Sequence, residues 1–431
     1  MRRAEALLQK QAAAATLLDA RALPDGGAWI TQARAKAAKR LRAMGLPARR
    51  DEYWRFTRPE ALNAKTVGEA AILPDRDRAI FAAAAPLRIV FVDGVLDPDA
   101  SDALKAKNLV IETLDSAGAR DIHWCKEVFG LIEAGMQSPI ERPLAALNTA
   151  FATEGLVIRA TGTVDKPINI RYLRRDPQAI ATVHHVIRLD EGADLTLLED
   201  GPAAARLSKV IEVDVADGAA FHHVRAQGPD HQRLAHTHVF ARLSNRASFK
   251  SFTLTINGAL TRNEAVIELN GDDAHATIAG ACVGEGAFHH DDTVFVTHDA
   301  RNCESRQVFK KVLKNGATGV FQGKILVRPD AQKTDGYQIS QALLLDDDAR
   351  FLAKPELEIH ADDVACSHGS TVGAIDETAL FYLTSRGIER GQAQNMLVLA
   401  FLAEALEEIE NPAIRDNLAT SLQGWIERHQ A

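Results

Sequence analysis

The residue types best suited to chemistry in this chain gather between Thr334 and Gly373, in the stretch TDGYQISQALLLDDDARFLAKPELEIHADDVACSHGSTVG. An apolar run (Ala342 to Leu345) and an acidic turn (Asp346 to Asp348) lead into an alternating strand that ends in Cys366-Ser367-His368-Gly369. A cysteine and a histidine two apart on an extended strand point to one face, and both ligate iron or zinc. Two ligands do not complete a metal site. The alternative for the same pair is a small buried thiol beside a histidine whose hydrogen bonds are met. Asp362 and Asp363, just upstream, can serve as hard ligands or bases, or stand as exposed carboxylates at a strand end.

Elsewhere the chemistry-bearing residues are scattered. The four cysteines (Cys125, Cys282, Cys303 and Cys366) contain no CxxC pair, so neither a disulfide framework nor a four-cysteine zinc site is indicated. Histidines are frequent in the middle of the chain: His184, His185, His222, His223, His236, His238, His289, His290 and His298. Neighbours on a strand face opposite ways, so no His-His pair is itself a chelate. These histidines are expected as polar residues on the outer face of a sheet. The run Gly316 to Ile325 imitates a phosphate loop but fails it, with Thr318 where the first glycine belongs and Ile325 where a magnesium-binding hydroxyl belongs. No Ser-His-Asp order and no HExxH motif supports hydrolase chemistry.

Three regions must position these residues. Residues 1 to about 65 read as helical, broken at Pro24-Asp25-Gly26-Gly27 and around Gly45-Leu46-Pro47. They end in RRDEYWRFTRPE (Arg49 to Glu60), whose Tyr53, Trp54 and Phe56 form a packing cluster rather than a nucleic-acid platform in so acidic a chain. LRIVFVDGVLD then reads as a strand, an Asp93-Gly94 turn and a returning strand. From Leu156 to Gly373 helical spacing gives way to short alternating runs. Turn residues followed by alanine recur at Ala193, Ala219, Ala247, Ala274, Ala300, Ala317 and Ala349, a period of about 25 residues. Two residues on stand Leu195, Phe221, Phe249, Ala276, Gly319 and Phe351, with Asn302 the exception, as if stacked in one inner column. Each coil of a β-solenoid buries its inward face against the next. The sequence therefore predicts a mostly β chain, a right-handed parallel β-helix flanked by an N-terminal helical and mixed α/β domain (1–155) and a C-terminal helical domain (374–431). The β-helix occupies 156–373. Asp376 caps the first C-terminal helix, a second runs from Gln392 to Ile409 with a wide apolar face, and Asn411-Pro412 starts a third. As a cap on the end coil, this helical region is expected to offer a partner surface as well.

Composition bounds the rest. With 46% hydrophobic and 25% charged residues the chain is of ordinary globular type. A net charge of −8 argues against nucleic acid or an anionic membrane as main partner. Glu5, Lys10 and Asp19 interrupt the apolar core that a secretory signal needs, and the expectation is a cytoplasmic protein with reduced thiols.

Three blocks, TDGYQISQALLLDDDA, KPELEIHADDVACSHGSTVG and DETALFYLTSRGI (Asp376 to Ile388), follow one another almost without a break. In these residues, and in the aromatic motif near Tyr53 and PLAALNTAFATEG (Pro143 to Gly155), the chain resembles the SufB/SufD family of the SUF iron–sulfur cluster assembly system. It resembles the SufD branch more than SufB, whose cysteine motifs it lacks. The resemblance implies a β-helix core and a non-catalytic scaffold subunit that pairs with SufB through the β-helix end. It also implies docking of the SufC ATPase on the C-terminal helices. A transient iron or nascent iron–sulfur cluster is then expected at the SufB–SufD interface, with no permanently bound cofactor. Carried over to this sequence, His368 is the candidate ligand to iron or the cluster and Cys366 the interface thiol beside it. The sequence leaves open whether the isolated chain self-pairs as a homodimer through the edge that SufB would occupy. The rival readings are an assembly protein without metal contact and a polysaccharide-acting β-helix enzyme, which would need a secretion signal and a charged cleft.

Overall fold

Successive coils of the central region turn at a residue with a positive φ: Gly192 (66°), Gly218 (64°), Arg246 (55°), Asp273 (60°), Asn302 (57°) and Lys333 (62°). The N–H of each donates to the carbonyl of the residue just before the next corner, so that Gly192 bonds Asp217, Gly218 bonds Asn245, Arg246 bonds Asp272 and Asp273 bonds Arg301. A small residue follows each corner and packs inward, Ala193, Ala219, Ala247 and Ala274 all being buried. This is the physical basis of the turn-alanine repeat. The chain is described here by a computed structural model that covers residues 2–73, 80–228 and 230–428.

Between corners each coil gives one strand to each of two facing ten-stranded sheets, forming a parallel β-solenoid of about seven turns. In the first sheet the strands Asp194–Asp200, Ala220–Gln227, Ser248–Ile256, His275–Glu285, Glu304–Lys314, Asp335–Leu344 and Ala365–Gly373 follow in that order. The second ends in Thr318–Val327 and Arg350–Ile359. Leu195, Phe221, Phe249 and Ala276 stack in register on the inner face, as the repeat predicts. The column then continues through Ser305 and Gly336 to Cys366. Asn302 is an exception because it is itself the left-handed corner; Cys303 takes the place of the alanine. Gly319 and Phe351 pair with each other in the second sheet, so the last members of the sequence repeat belong to a different corner of the coil.

The sheets start earlier than the change in sequence character at Leu156. Leu87–Val92 turns at Asp93-Gly94, both with positive φ, into Val95–Asp97, and it also pairs in parallel with Ile168–Leu173. Leu109–Thr113 joins the second sheet beside Leu156–Ala160. The N-terminal helices Arg2–Asp19 and Ala28–Met44 pack with Pro143–Phe151. Their domain lies over the outer face of the second sheet, where Tyr53, Phe129 and Ile132 meet Val186, Val210, Phe240 and Phe295. The aromatic motif is indeed a packing cluster: Arg262 lies 4.1 Å over the Trp54 ring and the Tyr53 hydroxyl donates to Glu356.

The C-terminal helices Glu377–Thr384, Arg390–Leu406 and Pro412–Arg428 start where the caps place them, with Asp376 Oδ1 accepting from the Thr378 N–H at 2.8 Å and Asn411 Oδ1 from the Ala413 N–H at 3.0 Å. Contrary to expectation they do not close the end coil. Val398, Leu402 and Leu406 instead cover the outer face of the first sheet, against Phe252, Ala279, Val308 and Val312. The apolar residues of that sheet face outward as well as inward, so its flank needs covering more than its end does.

Candidate metal centre at the open end of the solenoid

The segment expected as one strand ending in Cys366 and His368 is two strands in different sheets. Arg350–Ile359 is the edge of the second sheet, the chain turns at residues 360–364, and Ala365–Gly373 is the edge of the first. Asp363 belongs to that corner, its carboxylate 3.1 Å from Lys333 Nζ and its N–H donating to Gln332 Oε1. The pair Asp362-Asp363 therefore lines an exposed turn and is not a partner of Cys366.

Cys366 and His368 do share one face of the last strand, and it is the inner one. Cys366 stands opposite Gly336 and packs with Ile325, Leu357 and Val364 in a small cluster under the last coil. It is half-buried, and the other three cysteines are buried. Burial pushes the Cys366 thiol up; the Gly336 N–H opposes this, and the Asp335 carboxylate adds to the rise. His368 is exposed at the mouth. Among the described residues no group of three or more His, Cys, Asp or Glu side chains can hold a metal. Cys366 and His368 therefore stand without a third ligand-type side chain among the described residues.

Seven of the nine histidines of the middle region are buried, and His222 and His289 are half-buried on outer faces. His184, His236 and His238 do sit on the outer face of the second sheet, but beneath the N-terminal domain: His184 bonds Glu212 at 2.9 Å under the Phe129 ring. His185, His223, His290 and His298 point into the solenoid, where His185 meets the Tyr172 hydroxyl at 2.9 Å and His298 meets Ser305 at 2.8 Å. Burial drives His185 down to about 3, and His238 and His298 to about 4, so these rings are neutral, His238 stacking on the Phe240 ring. They are structural groups.

The sequence reading missed a polar interior. Lys209 pairs with Glu199, and Lys311 reaches Asp292 at 2.5 Å and His290 at 2.9 Å. Burial lowers Lys209 to about 8 although Glu199 holds it up. The available signal was parity, since Lys209 alternates with Leu207 and Ile211, and Lys311 with Phe309 and Leu313, at positions that otherwise face inward. In the last coils the interior also holds Gln307 and Gln338, fully buried.

Both edge strands end at this mouth. Ala365–Gly373 (ACSHGSTVG) pairs on one side with Asp335–Leu344 and, among the described residues, with no strand on the other. It carries no proline, lysine or acidic residue, the devices that normally blunt a free edge, and Val372 is 54% exposed. On the C-terminal helices Phe381, Tyr382 and Met396 are likewise exposed. Among the described residues no helix is long and apolar enough to cross a membrane.

Comparison with known proteins agrees with this architecture. Residues 172–401 match the family described as SUF system FeS cluster assembly, SufBD core domain. The chain is 30% identical to the iron–sulfur cluster assembly protein SufD of Escherichia coli, over 88% of this chain and 89% of that one. It is 25% identical to a SufBD-family iron–sulfur cluster assembly protein of Synechocystis, over 90% of this chain and 89% of the relative. The SufD protein of Bacillus subtilis is also 25% identical, over 66% and 67% of the two chains. With a solenoid core whose strands and corners fall where the family match lies, the chain belongs to the SufBD family of iron–sulfur cluster assembly proteins.

Proposed function

We propose that this protein is a non-catalytic subunit of a SufB–SufC–SufD assembly complex, pairing with SufB through the open end of its solenoid and docking the SufC ATPase on its C-terminal helices. Cys366 and His368 contribute to a site completed by the partner, where iron or a nascent cluster is held as cargo. One observation carries this reading: a soft and a borderline ligand, Cys366 and His368, lie together on the inner face of an edge strand that has no neighbour on its other side among the described residues and carries no proline, lysine or acidic residue.

The exposed Phe381, Tyr382 and Met396 support the second contact. The helices are tied to the first sheet by Lys310–Glu404, Arg306–Glu408 at 2.8 Å and Lys250–Glu410. A pull on them by an ATP-driven partner would pass into the first sheet, whose last strand, Ala365–Gly373, is the proposed interface. An interface that switches between two packings would open to admit iron and sulfur.

The test is genetic. In cells that depend on this pathway, His368→Ala is expected to abolish cluster maturation while the chain still accumulates and pairs with SufB. Normal maturation with His368→Ala would favour the alternative, an assembly protein that makes no metal contact.

A further inference from the structure

Directly inward of His368 in the parallel ladder stands Gln338, and inward of Gln338 stands Gln307. The three share the inner face with Cys366 and Gly336, being two residues along each strand. Gln338 and Gln307 are completely buried, and neither the amide oxygen nor the amide nitrogen of either has a hydrogen-bond partner. Each unpaired buried polar group lowers stability, a cost that leucine at the same place would not carry. Room has nevertheless been made for the longer side chain. A Cβ on Gly323, across the interior, would collide with Gln338 Oε1.

A histidine that binds a metal through one ring nitrogen almost always holds a hydrogen bond with the other, which fixes the ring and its tautomer. Adjacent strands lie about 4.8 Å apart, so an amide in the column below His368 is within reach of its imidazole. We propose that Gln338 is the positioning residue for His368. When the partner covers the mouth, Gln338 Oε1 accepts from one ring N–H of His368 and leaves the other nitrogen aimed at the metal. Gln307, one coil deeper, accepts from Gln338 Nε2 and so fixes which end of the amide faces His368. This rests on the reading of His368 as a ligand given above.

The test compares anaerobic Fe2+ affinity of the assembled complex for wild type, His368→Ala, Gln338→Leu and Gln338→Glu, with the melting temperature of each isolated chain. Gln338→Leu is expected to weaken Fe2+ binding about 10–100-fold without lowering the melting temperature. Gln338→Glu, which keeps an acceptor, should stay close to wild type. If His368→Ala loses iron while Gln338→Leu keeps wild-type affinity, the positioning role is overturned and the ligand role of His368 stands. If Gln338→Leu and Gln338→Glu weaken binding equally and both melt lower, Gln338 acts by packing alone and the proposal also falls. Wild-type affinity in His368→Ala overturns the ligand reading and this inference with it.

Discussion

Gly336 and Cys366 face each other across the parallel ladder, and a methyl group on Gly336 would stand 3.2 Å from the Cys366 sulfur. The missing side chain lets the thiol settle inward under the last coil instead of projecting from the rim. Gly336→Ala is expected to shift stability by no more than about 1 kcal/mol, because the edge strand can give. It should also raise the rate at which Cys366 reacts with a thiol reagent, read by mass spectrometry of the labelled chain.

Among the four cysteines only Cys366 is partly exposed. Brief alkylation of the native chain is expected to label Cys366 alone, and denaturant should add Cys125, Cys282 and Cys303. Because burial raises the Cys366 thiol, its labelling should still be climbing above the ordinary thiol range near pH 8.5. A native chain that labels at several cysteines would contradict the burial pattern.

His298 has its ring inside the solenoid, lowered by burial to about 4. Its contribution to stability is present above the ordinary histidine value of about 6.5 and is lost as pH falls from there towards 4, because the unfolded chain takes up the proton first. Replacing it by glutamine should flatten that limb of the stability–pH curve by on the order of 3 kcal/mol. Denaturant titrations of both chains at pH 7 and pH 4.5 measure the difference, and an unchanged slope would contradict the burial of His298.

Leu402 is completely buried where the second C-terminal helix lies on the first sheet. Leu402→Ala should cost about 2–5 kcal/mol and loosen the helical layer before the solenoid. Hydrogen exchange should rise in 377–428 and remain slow in the strands. Uniform acceleration would mean that helices and solenoid unfold as one unit.

Val372→Lys places a charge on the exposed edge strand without disturbing any buried group. The isolated chain should keep its melting temperature, while association with SufB weakens by roughly tenfold or more, about 1.4 kcal/mol. Size-exclusion chromatography of the mixed chains would reveal it, and full association would move the interface away from this edge.

The solenoid was legible because its corners obey local chemistry: a left-handed residue, then a small one, recurs wherever the backbone must turn inward. Asn302 broke the pattern only because the sequence does not say which of two neighbouring residues is the corner. The histidines were misread for a different reason. Alternation places His236 and His238 on an outer face, but burial there comes from the N-terminal domain, remote in sequence, which carries Arg142 and Phe129. Lys209 and Lys311 were missed because their partners Glu199 and Asp292 lie on other strands, a juxtaposition that only the register supplies. Cys366 and His368 stand out in the sequence by residue type and spacing, and the inner face they share follows from the coil. Gln338 carries no motif at all; its place in the column beneath His368 appears only with the ladder drawn.

The most direct test is the iron bound per complex after anaerobic reconstitution with SufB and SufC. The wild-type chain should retain iron, His368→Ala should lose it while the complex still assembles, and Cys366→Ser should weaken it. Equal iron in wild type and His368→Ala complexes would contradict a site shared at the open end of the solenoid.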